Sequence, residues 1–286
     1  MSEQPSTSSG LRLLFIADGA LDRPLLRSQG IPLLKQLSAQ GVVCHVMSFE
    51  TSLDVTDTPL GVELADLGIH WQPILTDDKV SGWQRVQMIL GGFWQAYRLC
   101  RREKIDLVHP RSYRPGVMAS LLKTFLGIGF LFDMRGFLID EQIMLGYWKP
   151  SGLKYRIARL AERWAILNAD VIITTSPQFR EKVLALPYFP PARAESVISI
   201  PNCADTTRFV AAHPARQNIR NKMGWHDRLV TAFAGEARVW EDFDDIFEFF
   251  IAIKRTRPDS FLALFAYGNL TSLRSAIEQR GLASED

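Results

Sequence analysis

Two short segments carry the residue types best suited to chemistry on a polar substrate. His109-Pro-Arg-Ser-Tyr113 and Asp133-Met-Arg-Gly136 each follow an apolar run of strand length or begin at its last residue. Arginine binds a phosphate or carboxylate bidentately, and a carboxylate beside it can orient it or accept a proton from a substrate hydroxyl. If the two runs are parallel strands of one sheet, both segments lie on the same edge, so His109, Arg111, Ser112 and Tyr113 converge on one crevice with Asp133 and Arg135. A structural Asp–Arg pair that supports the loop is the competing reading. Asp18-Gly19, after the first apolar run, and Ser28-Gln29-Gly30, at the opening of the next helical stretch, border the same crevice; Ser28 and Gln29 also suit a helix cap. Asp140 and Glu141 add two carboxylates near that edge, as a general base and a substrate contact, or else as part of a solvated loop or helix cap.

The elements that must hold these residues follow from hydrophobic patterning. Apolar runs alternate with longer amphipathic stretches, the rhythm of βα units around a parallel sheet. Strands are expected over residues 11–17, 42–49, 68–71, 105–109, 129–133, 169–175 and 197–201. Helices are expected over 31–40, 83–104, 116–126, 151–168 and 177–185, with a kink at Gly91-Gly92 in the longest. Residues 136–150 show neither period and read as a long ordered loop, a type that is more often functional than not. Together these make one doubly wound α/β domain ending near Phe209. The pattern then restarts, with strands over 229–234 and 261–267 and helices over 241–257 and 271–280. Two βα units cannot cover both faces of a sheet, so a second domain is expected to be incomplete at Asp286.

Composition removes several function classes. With 286 residues, 47% of them hydrophobic, the chain can bury a large core and is not a disordered tail. A net charge of +2 is too small for capture of nucleic acid along a whole face. Cys44, Cys100 and Cys203 lie far apart, so neither a zinc site nor a disulfide framework is readable, and reduced thiols in a cytoplasmic protein fit best. The longest apolar stretch, 124–132, is far below the ~20 residues that span a bilayer. The chain has no Gly-x-Gly-x-x-Gly and no P-loop, which disfavours a firmly held dinucleotide, and no cofactor is expected. Asp242-Phe-Asp244 has the form of a cation site, but beside Glu241 and Asp245 at a helix start it reads as dipole compensation, so no metal is expected. Lys149, Lys154, Arg156, Arg159 and Arg163 interleave with Tyr147, Trp148, Tyr155 and Trp164, a composition suited to anionic lipid head groups, to which Arg98, Arg101 and Arg102 add. An ordinary amphipathic helix with one solvated side accounts for the same pattern.

Val197-Ile-Ser-Ile-Pro-Asn-Cys-Ala-Asp205, followed by Arg208-Phe209, resembles the interdomain segment of GT-B glycosyltransferases of the retaining family 4 type. Ser28-Gln29 before Pro32-Leu33-Leu34-Lys35, the His109 and Asp133 segments, Ala169-Asp170 and Phe233-Ala-Gly235 agree in order and spacing, so the resemblance spans nearly the whole chain. It implies two Rossmann-like domains, an acceptor domain over 11–209 and the start of a nucleotide-sugar domain over 228–286, with Pro201–Asp205 at the hinge. It also implies that Asp133, Arg135 and Glu141 serve catalysis. Asp18, Gly19, Ser28, Gln29, His109, Arg111, Ser112, Tyr113 and Asp140 would face the acceptor, and Gly235 and Arg238 the donor diphosphate. Departures are visible: a histidine is usual just past the strand that ends at Asp133, and Trp240, Glu241 and Asp242 stand where a lysine is usual. The donor-holding Glu-x7-Glu element would lie beyond Asp286, so this chain alone is expected not to turn over. The implied activity is transfer of a sugar, with retention, from a nucleoside diphosphate sugar to a glycan or lipid-linked acceptor; a cytoplasmic location follows from the thiols, and peripheral contact with the cytoplasmic face of an anionic membrane only from the basic and aromatic residues above. A non-catalytic acceptor- or partner-binding module, or a nucleotide-sugar epimerase of the same fold, is the alternative.

Overall fold

A computed structural model describes residues 10–76, 83–204, 206, 214–237, 243–268 and 270–282. Among the residues singled out above, Asp205, Arg208, Phe209, Arg238, Trp240, Glu241 and Asp242 lie outside the described residues. The chain divides into two compact units, Met1–Ala204 and Asp205–Asp286.

The first unit is a parallel sheet of seven strands: β1 (Arg12–Ala17), β2 (Val43–Glu50), β3 (His70–Leu75), β4 (Leu107–Pro110), β5 (Gly129–Asp133), β6 (Val171–Thr174) and β7 (Val197–Ser199). Their order is β3-β2-β1-β4-β5-β6-β7, which reverses between β1 and β4. That reversal is a topological switch point, where an open α/β sheet forms its ligand crevice. The connecting helices are α1 (Ile31–Ala39), α2 (Pro59–Asp66), α3 (Trp83–Glu103), α4 (Tyr113–Leu126), α5 (Leu138–Met144), α6 (Leu153–Asn168) and α7 (Pro177–Leu184). Alternate strand residues feed two cores. Leu14, Ile16, Val108, Phe130 and Phe132 pack with Leu99, Leu122 and Ile166 on one face. Leu13, Phe15, Ala17 and Val46 pack with Leu34 and Leu64 on the other. Burial of the strands on both faces explains why they read as near-continuous apolar runs.

The second unit holds α8 (Ala215–Lys222), β8 (Val230–Ala237), α9 (Phe243–Thr256), β9 (Phe261–Gly268) and α10 (Leu270–Gln279), with β8 and β9 parallel. Helix α9 buries Phe247 and Phe250 and carries Asp244 and Asp245 in its first turn, Lys254 and Arg255 in its last, each charge opposing the local end of the helix dipole.

Several elements depart from the sequence expectations. Residues 136–150 are not a continuous loop, because α5 forms within them; it is anchored by buried Ile139 and carries Asp140 and Glu141 in its first turn. Two turns are too short to display a helical period. Helix α2 was not expected at all, although Thr58 accepts from the Gly61 amide at 3.2 Å and Pro59 opens the helix, a local start signal. Helix α3 runs through Gly91-Gly92 unbroken. A Cβ on Gly92 would stand 3.0 Å from the Ile74 side chain, so this glycine permits close approach of the helix to β3. Helix α4 begins at Tyr113, three residues before its expected start. Leu26–Gly30 form a π-helical turn that continues into α1, so Ser28 and Gln29 lie inside helical structure and not at a cap. Cys44 and Cys100 are buried free thiols and Cys203 an exposed one.

Candidate functional site

The switch point brings the His109 and Asp133 segments together. Phe15 pairs with His109 in register, the Arg111 amide donates to Ile16 O at 2.9 Å, and the Ser112 amide donates to Asp133 O at 3.1 Å. Ser112 turns the chain from strand to helix with φ of 78°, a left-handed value that a β-carbon makes costly and that the surrounding bonds hold in place. His109, Arg111 and Asp133 are consequently all buried, at 4–6% exposure.

Asp133 is the anionic centre of this cluster. Its carboxylate lies 3.3 Å from Arg135 Nη1, 3.8 Å from Arg111 Nη1 and 3.9 Å from His109 Nε2. Burial pushes the Asp133 pKa up, but His109, Arg135 and Arg111 together outweigh it and hold the carboxyl below its ordinary range. Burial lowers the Arg111 pKa to about 10, aided by Arg135 and opposed by Asp133, so Arg111 still carries its charge at neutral pH. Gln29 Oε1 accepts from both guanidinium groups, from Arg111 Nη2 and from Arg135 Nη2, the latter at 2.8 Å. Arg135 Nη2 also donates to Asn202 Oδ1. His109 Nε2 is buried with no hydrogen-bond partner among the described residues, although the ring packs edge-on to Phe15 at 5.2 Å. Two guanidinium groups against one carboxylate leave a net positive charge within this cluster.

The other expected site residues divide between this edge and a second place. Asp18 lies next to β1 and accepts from Arg114 Nε at 2.8 Å and Nη2 at 2.5 Å, and Gly19 beside it takes a φ of 126° open to glycine. Ser28 Oγ donates to Leu25 O at 3.2 Å and takes no part in the Gln29 bonds. Tyr113 is directed to the Gly136 carbonyl, at 2.9 Å, and burial raises its pKa well above the ordinary phenol value. Asp140 and Glu141 instead line a cavity of about 700 Å³ between α5, α6 and α7, together with Phe137, Met144, Arg159, Glu162, Lys182, Leu186 and Tyr188. Asp140 pairs with Arg159, whose Nη1 also donates to Glu162 Oε2 at 2.8 Å. Glu162 is nearly sealed from solvent, and its Oε1 meets no donor among the described residues. In the second unit Gly235 belongs to β8, where a Cβ would stand 2.9 Å from the Phe233 ring.

The model of the glycosyl transferase 4-like domain matches residues 32–203. The chain belongs to that family. The match covers β2 to β7 with most of the basic cluster; Asp18, Ser28 and Gln29 lie just before it. HepE of Anabaena, solved in complex with UDP and glucose, is similar in fold at 15% identity with a TM-score of 0.66, over 96% of this chain and 68% of that one. Sucrose-phosphate synthase of Thermosynechococcus elongatus aligns at 13% identity and a TM-score of 0.64, over 96% and 69%. A putative UDP-N-acetylglucosamine 2-epimerase of Listeria monocytogenes aligns at 16% and 0.60, over 97% and 68%. No curated protein matches the chain in sequence. The fold is therefore the Rossmann-like GT-B fold, and the nucleotide-sugar chemistry of these neighbours is theirs.

Within this glycosyltransferase family member, three contacts escaped the sequence. Arg114 follows the Tyr113 segment directly, yet no spacing rule links it to Asp18. Asn202 lies in the segment that resembles an interdomain hinge, and nothing in the sequence marks its side chain as reaching Arg135. Glu162 had a usable signal: it is an acid on the inward face of a helix, a position that demands a partner.

Proposed function

We propose that the chain serves a glycosyltransferase that moves a sugar, with retention, from a nucleoside diphosphate to an acceptor hydroxyl, and that the Gln29 cluster is its acceptor side. The observation that carries this reading is the convergence of Arg111 and Arg135 on Gln29 beside a buried, ionised Asp133. A carboxylate held below its usual range is a weak base at neutral pH, so Asp133 orients the guanidinium groups and accepts from a substrate hydroxyl. In the transfer, the bond between anomeric carbon and diphosphate oxygen breaks and a bond to the acceptor oxygen forms on the same face. The hydroxyl proton leaves with the diphosphate. Gly235 and Arg238 belong to the donor side, where basic side chains and helix N-termini, not a metal, offset the charge on the leaving group. The UDP complex of HepE supports a uridine nucleotide as donor. The acceptor is a glycan or a lipid-linked saccharide.

Calorimetric titration with UDP and GDP tests the reading, on this chain and on a downstream extension where the reading frame continues. UDP binding by either supports the transferase; no nucleotide bound by either favours an acceptor-binding module. Product analysis separates the epimerase reading, since an epimerase alters the sugar with no acceptor present.

A further inference from the structure

We propose that the outer face of α5 and α6 docks on an anionic lipid bilayer. Met144, Tyr147, Leu153, Ile157 and Leu160 are each 58–74% exposed within one short stretch of chain. Singly exposed apolar side chains are ordinary, but several in so short a stretch, three of them on one helix face, mark a surface that meets something. Leu153, Ile157 and Leu160 follow an i, i+4, i+7 spacing and so form one stripe along α6. Glu162, Ala165 and Ile166 are buried on the helix's other side, which fixes the stripe as its outward face.

Charge decides what the stripe meets. Between Glu141 and Glu162 the sequence holds no Asp or Glu. Lys149, Lys154, Arg156 and Arg163 are all exposed around the stripe, Arg156 and Arg163 on one flank by helical spacing and Lys154 on the other. Lys154 Nζ sits 4.5 Å over the Trp148 ring, at the junction of apolar and basic surface. Arg159, the remaining cation of the stretch, turns away to Asp140 and Glu162. An apolar stripe bordered by uncompensated cations matches an interface between acyl chains and anionic head groups. A two-fold dimer through the same face would set cation against cation. Nucleic acid would meet aliphatic side chains where stacking rings are needed. Among the described residues no helix is long and apolar enough to cross a membrane, so this contact is peripheral. Arg101 and Arg102 do not extend the face: they end α3, just before β4 enters the opposite edge of the sheet, and Arg102 pairs with Glu103.

The test is flotation with phosphatidylcholine vesicles, with and without about one-third phosphatidylglycerol. The chain should bind the anionic vesicles at least tenfold better than the neutral ones, and added salt should release it. Ile157→Glu with Leu160→Glu, and separately Lys154→Glu with Arg156→Glu, should each reduce vesicle binding about tenfold at unchanged melting temperature, since all four side chains are exposed. Failure to bind either vesicle, equal binding to both, or full binding by the two folded variants would overturn the proposal. So would a dimer abolished by the Ile157 and Leu160 changes, or preferential retention of a single-stranded oligonucleotide. No nucleotide or sugar enters the assay, so its failure leaves the transferase reading standing, and the reverse also holds.

Discussion

At the scale of single residues, the cluster depends on Gln29, because one amide oxygen receives two guanidinium groups that would otherwise repel each other. Arg135 is the more exposed of the two and bonds both Gln29 and Asn202. Replacing Arg135 with Ala in the downstream-extended protein should therefore lower kcat/KM in a sugar-transfer assay by about tenfold to a hundredfold, the scale of a charge-assisted hydrogen bond of about 1.5–3 kcal/mol, while the melting temperature changes little. Asp133 behaves differently because it is buried. Its folded pKa is depressed, so the stability it contributes is present above the unfolded value of about 4 and is lost as pH falls through the folded one. Asp133→Asn should cost on the order of 1–3 kcal/mol at neutral pH, and the gap to the parent protein should close in acid. Urea denaturation at pH 7 and at pH 3 checks both; a gap that does not shrink would remove the assigned role of the ionised carboxylate. The types of these residues were legible because His109, Arg111, Asp133 and Arg135 stand next to strand ends. Their partners were not, since Gln29 and Asn202 approach from remote parts of the chain, and hydrogen bonds over such separations leave no local pattern.

At the scale of elements, the site's geometry rests on how closely α4 packs on β5, the strand that ends in Asp133. Gly116 lies at that contact, where an added Cβ would stand 2.9 Å from the Phe132 ring. Phe132 is fully buried and pressed edge-on against Tyr113 at 5.9 Å, so it has no free space to enter. Gly116→Val should destabilise the chain by about 1–3 kcal/mol, read as a lower melting temperature, and should lower nucleotide-independent acceptor binding through displacement of Asp133 and Tyr113. A melting temperature equal to that of the parent would mean that α4 can move off the strand at little cost. The long elements were well announced by their periods: buried β1 by an unbroken apolar run, α6 by an apolar face set against a basic one. The short ones were not. Helix α5 has only two turns, and its anchor Ile139 is one residue in a segment that otherwise lacks periodicity. Its formation brings Asp140 and Glu141 to the cavity beside α6, a placement that a loop reading of residues 136–150 does not anticipate.

At the scale of the whole molecule, the two units differ in how much each can bury. The first holds a seven-stranded sheet whose central strands are covered on both faces, with one core behind α3, α4, α6 and α7 and another behind α1 and α2. The second, as described, pairs two strands, with its fully buried aromatic side chains, Phe247 and Phe250, on α9. The apolar rhythm restarts near residue 229, inside the second unit, because a strand-turn-helix unit announces itself wherever it lies in the chain. The order of the strands was not readable, since periodicity identifies a strand without naming its neighbour. Burial rises with domain size, so the first unit should supply most of the cooperative stability. Residues 10–204 expressed alone should then unfold in one transition, within a few degrees of the higher-melting transition of the full chain by calorimetry, since about 1 kcal/mol moves such a domain by only about 2–4 °C. Both core clusters lie wholly within those residues, so neither is cut by the truncation. A drop well beyond that range would mean that the first unit draws stability from the second, and the Gly116→Val melting comparison would then have to be made in the full chain.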